Sequence, residues 1–423
     1  MISEYDSYVS ILKEELVPAL GCTEPIALAY GASVVREFLH SEEPLKVRAL
    51  CSGNIIKNAM CVKVPNTGGL IGIEAAVLAG LTGGDPALKM EVISGLGDED
   101  SMKIQEGLKK HLCSVELLAS DIPLNFIIEA ASANHTASVE IAWKHTHISA
   151  ITADGIPQDL NEGRYVQEPV TDRSCLQFRK ILEFAETVRM EDVEKLIRVQ
   201  IEDNMAIAEE GMAGGYGVGI GQTIVNGPLN CTVGKMLAYT AAASEARMEG
   251  CSLPVITNSG SGNQGIASSV PVIIYCRENG IPEEKMLRAL VLSNLLTIYQ
   301  KTGIGALSAF CGVVCASVSA AAAVTWLRGG GPKEIGETIT NSYGSVAGTV
   351  CDGAKATCGF KIYGALSSAL LAGEMAVSGK AYPDHTGIIK ADPDEAVQVI
   401  GELGRLGMVE TDRKILEIML REC

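Results

Sequence analysis

The sequence predicts an α+β protein, a mostly helical catalytic domain with a smaller α/β sandwich-type domain inserted near the N-terminus. Three observations carry that prediction. Short β-type runs crowd between residues 46 and about 165, broken by Gly, Asn, Asp and Pro. Long Ala- and Gly-rich helical patterns fill the chain beyond about residue 205. The core composition fits both: hydrophobic residues make up 47% and aromatics only 4%, with 45 glycines among 423 residues. Ala, Val, Ile and Leu therefore build the interior, and backbones approach closely at glycine. A chain of this length is long for one core.

In chain order, residues 4–20 read as an amphipathic helix, with Tyr8, Ile11, Leu12, Leu16 and Leu20 at helical spacing and Gly21 as its stop. Cys22-Thr23-Glu24-Pro25 then opens a second helix, IALAYGASVVREFL. Thr23 suits its N-cap, and Glu24 and Pro25 suit its first turn. Residues 1–45 are thus assigned to helices joining the helical domain. Residues 46–204 form the α+β domain. Its strand candidates are KVRALCSGNIIKNAMCVKVP, KMEVISGL, CSVELLA, NFIIEAASA, ASVEIAW and HTHISAITADG, with LIGIEAAVLAGLTG as a helix between them. TDRSCLQFRKILEFAETVRMEDVEKLIRVQIE extends this domain helically, and residues 205–423 make the helical domain.

Charge narrows the class. With 51 acidic and 34 basic residues, the net charge is −17, which argues against nucleic-acid binding and against an anionic membrane surface. The start, MISEYDSYVSILKEEL, shows no basic region followed by an apolar run, and 13 cysteines at irregular spacing are not a disulfide framework. Both point to a cytoplasmic protein. The charge-free run from Thr302 to Leu327 is long enough to span a bilayer, yet it is mostly Ala, Gly, Ser and Val, so a buried core helix is expected. The chain is compatible with a homo-oligomer.

The residues that could carry chemistry are mostly cysteines. Cys311 lies in SAFCGVVC, and Cys351 and Cys358 bound CDGAKATC. On an unbroken helix the last two would lie roughly 10.5 Å apart. Asp352-Gly353 and Gly359 are loop and cap signals, and a turn there lets both sulfurs point inward. Spacing alone equally allows two unrelated buried cysteines. Cys22 precedes a helix start, where free N–H groups and the dipole favour a thiolate able to act as a base; a small buried residue is the plain alternative. Ser259-Gly260-Ser261-Gly262-Asn263-Gln264-Gly265 is the best anion-binding loop and is read as a substrate carboxylate site. Asn66 and Thr67 in VPNTGG are a second candidate, and Lys355 could add a positive charge. Cys315, four residues after Cys311, is an alternative ligand. His135, His145 and His147 sit in β-type segments, where the HTH alternation puts two rings on one face; lacking a third ligand, they are read as solvated or satisfied. Cys423, at the very end, is read as an exposed terminal thiol.

CDGAKATC, the upstream Cys311 in an Ala-rich stretch and GCTEP near the N-terminus together resemble the L-cysteine desulfidases, relatives of the oxygen-sensitive iron–sulfur L-serine dehydratases. The resemblance covers nearly the whole chain. It implies a [4Fe–4S] cluster held by Cys311, Cys351 and Cys358, with one iron left for a small amino-acid substrate. It implies Cys22 as the catalytic residue and β-elimination from L-cysteine to pyruvate, ammonia and hydrogen sulfide. The middle segment would match the serine dehydratase β-domain and the helical remainder their catalytic domain. In those relatives a C-terminal cysteine can fill the open iron site, a role Cys423 could share. L-Serine with the same cluster is the alternative substrate. More distant alternatives are a pyridoxal-phosphate lyase, with Lys301 or Lys355 as the Schiff-base lysine, and a membrane or small-molecule binding protein resting on 302–327.

Overall fold

The computed structural model describes residues 4–160, 164–166 and 170–421, so Cys423 lies outside the described residues. Two hydrophobic cores organise the fold. One surrounds a mixed six-stranded sheet in the order Cys113–Leu117, Lys46–Cys51, Asn125–Ala131, Thr136–Ala142, Ile148–Ala153, Ile156–Pro157. The first pair is parallel and the others antiparallel. Alternation along Lys46–Cys51 turns Val47, Ala49 and Cys51 inward, as a half-buried strand requires.

The helix Thr23–Phe38 lies on this sheet and is buried along most of its length. Glycines set the layer spacing. A Cβ at Gly31 would come within 3.1 Å of Phe126, and one at Gly80, on the neighbouring helix Ile73–Gly83, would sit 2.0 Å from the Ala29 carbonyl oxygen. Gly80→Ala must therefore push the two helices apart. The expected cost is about 1–3 kcal/mol, as for other overpacked cores, measured as a lowered urea midpoint with an unchanged slope.

The second core is helical. It gathers Phe178–Thr187, Met190–Ala213, Thr232–Met248, Gly262–Glu278, Glu283–Ile304, Val313–Leu327, Pro332–Val346, Cys358–Val377 and Pro393–Glu402. The N-terminal helices divide between the cores: Tyr5–Glu15 packs into the helical one, Thr23–Phe38 into the sheet's. The charge-free run is split by Gly305, at φ 96, and its second half is the buried helix Val313–Leu327. Among the described residues, no helix is long and apolar enough to cross a membrane.

Several local expectations need correction. Only Lys46–Cys51 of the first strand candidate is strand, and its GNIIKNA is the helix Gly53–Ala59. The first helix stops at Glu15, because Pro18 disfavours helical backbone before it, and Pro18–Leu20 pairs antiparallel with Pro254–Ile256. KMEVISGL is not a strand: its first three residues end a short 3₁₀ helix, Pro86–Glu91, and turns follow. There Asp85 accepts from the Ala87 N–H, Pro86 sits in the first turn, and Lys89 adopts φ 47. The N-cap of the second helix is Cys22 rather than Thr23, whose hydroxyl instead donates to Glu24.

Candidate active site

A cavity of about 90 Å³ lies where the two cores meet. Cys22, Glu24, Asn58 and His145 reach it from the sheet side, and Arg247, the turn Ser259–Gln264, Cys311, Cys351 and Cys358 from the helical side. The local backbone explains the cysteine cluster. The Cys311 N–H donates to the Thr349 carbonyl and the Cys351 N–H to the Ala309 carbonyl, at 3.1 and 2.7 Å, so a single antiparallel bridge at Phe310 and Val350 sets the two cysteines side by side. Gly353, at φ 96, then turns the chain so that Cys358 begins the next helix. A Cβ on Gly353 would lie 2.2 Å from the Lys57 carbonyl oxygen, so only glycine lets this loop dock on the sheet domain.

Electrostatics differ among the thiols. A hydrogen bond from Cys311 holds the Cys351 thiol down to about 6; burial opposes this, and the Lys57 and Lys361 charges assist it. Cys311, as donor to Cys351 and fully buried, is pushed well up, and burial also raises Cys358. Lys57 is itself 2% exposed, with Nζ 2.5 Å from Asp412 Oδ1 and 3.2 Å from the Cys351 carbonyl. Lys57→Met should cost about 3–5 kcal/mol, because it strands a partly buried carboxylate. Urea unfolding would measure this.

Cys22 is buried at the N-cap, with Sγ 3.2 Å from Glu24 Oε2. Burial and then the Glu24 charge push this thiol well above its ordinary value, although Arg247 pulls the other way. The helix terminus therefore does not by itself make Cys22 a thiolate. Glu24 accepts from Thr23 at 3.1 Å and from Asn58 at 3.1 Å, and His145 Nε2 stands 3.8 Å away. Burial raises the Glu24 pKa, but His145 and the Cys22 hydrogen bond outweigh it and hold it at about 2.

The Ser259–Gln264 turn is closed by reciprocal backbone bonds between Asn258 and Ser261, with Ser259 at φ 50 and Gly260 at φ 75. It delivers Gly262, Asn263 and Gln264 to the first turn of the Gly262–Glu278 helix, and all but Gly262 line the cavity. Gly265 lies deeper, with a Cβ position 1.9 Å from the Ile256 carbonyl oxygen.

Other expected residues are placed elsewhere. Asn66 donates to the Ile93 carbonyl and accepts from Ser252, and Thr67 donates to the Val64 carbonyl; both brace a turn outside the cavity. Lys355 pairs with Asp352 at 3.0 Å and is also outside the lining. Cys315 is buried one helical turn beyond Cys311, near Lys301 rather than in the cavity. Lys301 does line the cavity, but its ammonium clasps the Gly305 and Ala306 carbonyls. His135 binds Asp154 at 2.9 Å and His147 the Ala142 carbonyl at 3.1 Å, whereas His145 enters the cavity from a turn. The HTH residues are therefore not an alternating strand with two rings on one face, since Trp143, at φ 72, begins a turn there. Sequence reading missed Glu24, Asn58, His145 and Arg247 as cavity residues.

Among the described residues, no three His, Cys, Asp or Glu side chains converge on one ion. Cys311, Cys351 and Cys358 instead ring a space, which suits a group that takes one thiolate at each of several metal atoms. The buried polar atoms around it also ask for a ligand. Of eight buried side-chain nitrogens and oxygens without a hydrogen-bond partner among the described residues, five line this cavity: Asn58 Oδ1, His145 Nε2, Arg247 Nε and Nη2, and Gln264 Oε1.

The chain is 43% identical to a UPF0597 protein of Treponema denticola, over 99% of each chain. It is 45% identical to one of Desulfitobacterium hafniense, over 99% of this chain and 97% of that one. A third, from Lachnoclostridium phytofermentans, is 42% identical over 98% of this chain and all of its own. A family model described as serine dehydratase alpha chain matches residues 50–417, a span that takes in most of the sheet and of the helical core and all three clustered cysteines, and begins after Cys22. With its α+β fold and a match over most of its length, the chain belongs to the serine dehydratase alpha chain family.

Proposed function

We propose that this chain is an iron–sulfur lyase that eliminates the β-substituent of a small α-amino acid, converting L-cysteine to pyruvate, ammonia and hydrogen sulfide. The observation that carries this reading is the gathering of Cys311, Cys351 and Cys358 around one cavity with Cys22 and the Ser259–Gln264 turn. Family membership supports the lyase class. The three cysteines would hold a [4Fe–4S] cluster. The chemistry such a group supplies is Lewis acidity toward the departing thiol.

The protein's own residues do the rest. Backbone N–H groups at the start of the Gly262–Glu278 helix orient the substrate carboxylate. Cys22 takes the α-proton on Sγ once its own thiol proton has left, a loss that the Arg247 charge favours and Glu24 opposes. Departure of the β-substituent leaves an enamine, which tautomerises and hydrolyses without further help. L-Serine is the second reading, favoured by the family description, and needs the same residues with hydroxide as the leaving group.

Anaerobic reconstitution with iron and sulfide, followed by parallel assays of sulfide release from L-cysteine and pyruvate release from L-serine, tests both readings. A brown protein that releases sulfide supports the first. Pyruvate from serine without sulfide from cysteine moves the assignment to the second, and a colourless protein inactive on both removes the proposal.

A further inference from the structure

Arg247 is 2% exposed, yet its Nε and Nη2 have no hydrogen-bond partner. Guanidinium hydrogens left without hydrogen-bond partners in a protein interior are costly unless an acceptor meets them. The side chain lies across the first turn of the Gly262–Glu278 helix, where a Cβ on Gly262 would be 2.2 Å from Nε. Free backbone donors and unpaired guanidinium hydrogens thus share one edge of the cavity. Across the same space stands Glu24, 7% exposed, whose carboxylate accepts from Cys22, Thr23 and Asn58. No ion pair within 4.0 Å joins the two charges among the described residues, although both line the cavity. One buried cation and one buried anion therefore line the same space without pairing with each other, Glu24 standing 3.8 Å from His145 Nε2.

We infer that Arg247 and Glu24 form a zwitterion clamp, Arg247 binding the α-carboxylate of the substrate and Glu24 its α-ammonium group. This rests on the amino-acid lyase reading and deepens it, because it makes a free carboxylate and a free amine both obligatory. A planar guanidinium meets a carboxylate through paired, charge-assisted hydrogen bonds, whereas an ammonium on a lysine stem offers a single point of charge. The clamp explains why a cavity built around thiols also carries orphaned donors.

The test uses the anaerobically reconstituted enzyme and measures binding by calorimetry, with no turnover. L-Alanine is the probe, since it has both charges and no leaving group. L-Alaninamide lacks the carboxylate and propionate lacks the ammonium. Alanine should bind the parent at least about tenfold more tightly than either analogue, which corresponds to about 1.4 kcal/mol. Arg247→Gln should weaken alanine about tenfold to hundredfold and leave alaninamide within about twofold. Arg247→Lys keeps a buried cation and so guards against misfolding; it should show the same selective loss, smaller in size. Glu24→Gln should weaken alanine and alaninamide but spare propionate. The inference is overturned if alanine does not bind the parent, or binds it no better than the analogues. It is equally overturned if the Arg247 variants weaken all three probes alike, or if they lower iron content while alanine binds unchanged. Because these are binding readouts, they separate from the lyase assay: sulfide release without selective binding removes only the clamp, and selective binding without iron or turnover removes only the lyase reading.

Discussion

Cys351→Ser should reduce iron retained after anaerobic reconstitution, and sulfide release with it, to below about one-hundredth of the parent. Even residues that only orient metal ligands typically cost 10–100-fold in affinity or activity, and Cys351 stands closer to the metal chemistry than that. It is the thiol held nearest the thiolate form, by the hydrogen bond from Cys311 and by the charges of Lys57 and Lys361. Metal ligation needs a thiolate, so removing this sulfur takes away the ligand that is already poised. The same logic ranks the others. Cys311→Ser and Cys358→Ser should also abolish iron retention, and Cys311→Ala, which removes the donor to Cys351, should in addition raise the Cys351 thiol. Cys315→Ser is the contrasting control: Cys315 is buried away from the cavity, so iron content and turnover should stay within about twofold. Iron per chain, the brown absorbance and sulfide release measure all four serine variants. Iron retention by Cys351→Ser at the parent level would remove this residue from the ligand set.

How much of the site could be read from sequence depended on whether a residue's role was local. CDGAKATC announces its own turn, because Gly353 must take a positive φ to let the chain pass Lys57. The Ser259–Gln264 turn was visible for the same reason: serines and glycines preceding a helix make their own geometry. Arg247 gave no such signal. It sits within the helix Thr232–Met248, in the run AAASEARM, where an arginine ordinarily reads as a solvated residue. Only the packing of that helix beneath Gly262 turns its guanidinium inward. His145 was equally silent, because the turn that carries it belongs to the sheet core and meets the helical core only in three dimensions. In the fold, the strands of alternating burial were legible from their period, whereas KMEVISGL failed because Asp85 and Pro86 capture the chain into a tight turn first. Lys355 misled in the opposite sense: a lysine in the right motif is spent on Asp352 three residues away.

Cys22→Ser should lower kcat for sulfide release by about 10²–10⁴-fold with iron content unchanged, the range expected for loss of a positioned general base. A serine hydroxyl fits the N-cap and can keep the hydrogen bond to Glu24, so the fold and the neighbouring thiols are preserved while the proton acceptor is lost. The direction of the pH dependence follows from the same contacts. Burial and the Glu24 carboxylate push the Cys22 thiol well above its ordinary value, so the reactive thiolate is a minor species near neutrality. As pH rises the thiolate fraction grows, and kcat/KM should climb about tenfold per unit until the folded pKa is reached. Glu24→Gln removes the charge that opposes ionisation and keeps the side chain's shape. Its profile should therefore shift toward lower pH, while Arg247→Gln, which removes the favourable charge, should shift it upward. The two shifts have opposite signs, and a merely structural disturbance at either residue does not produce that pair. A Cys22→Ser enzyme that keeps its iron and the parent's turnover would place the base elsewhere. His145, whose Nε2 lies buried without a hydrogen-bond partner in the same cavity, would then be the residue to replace next.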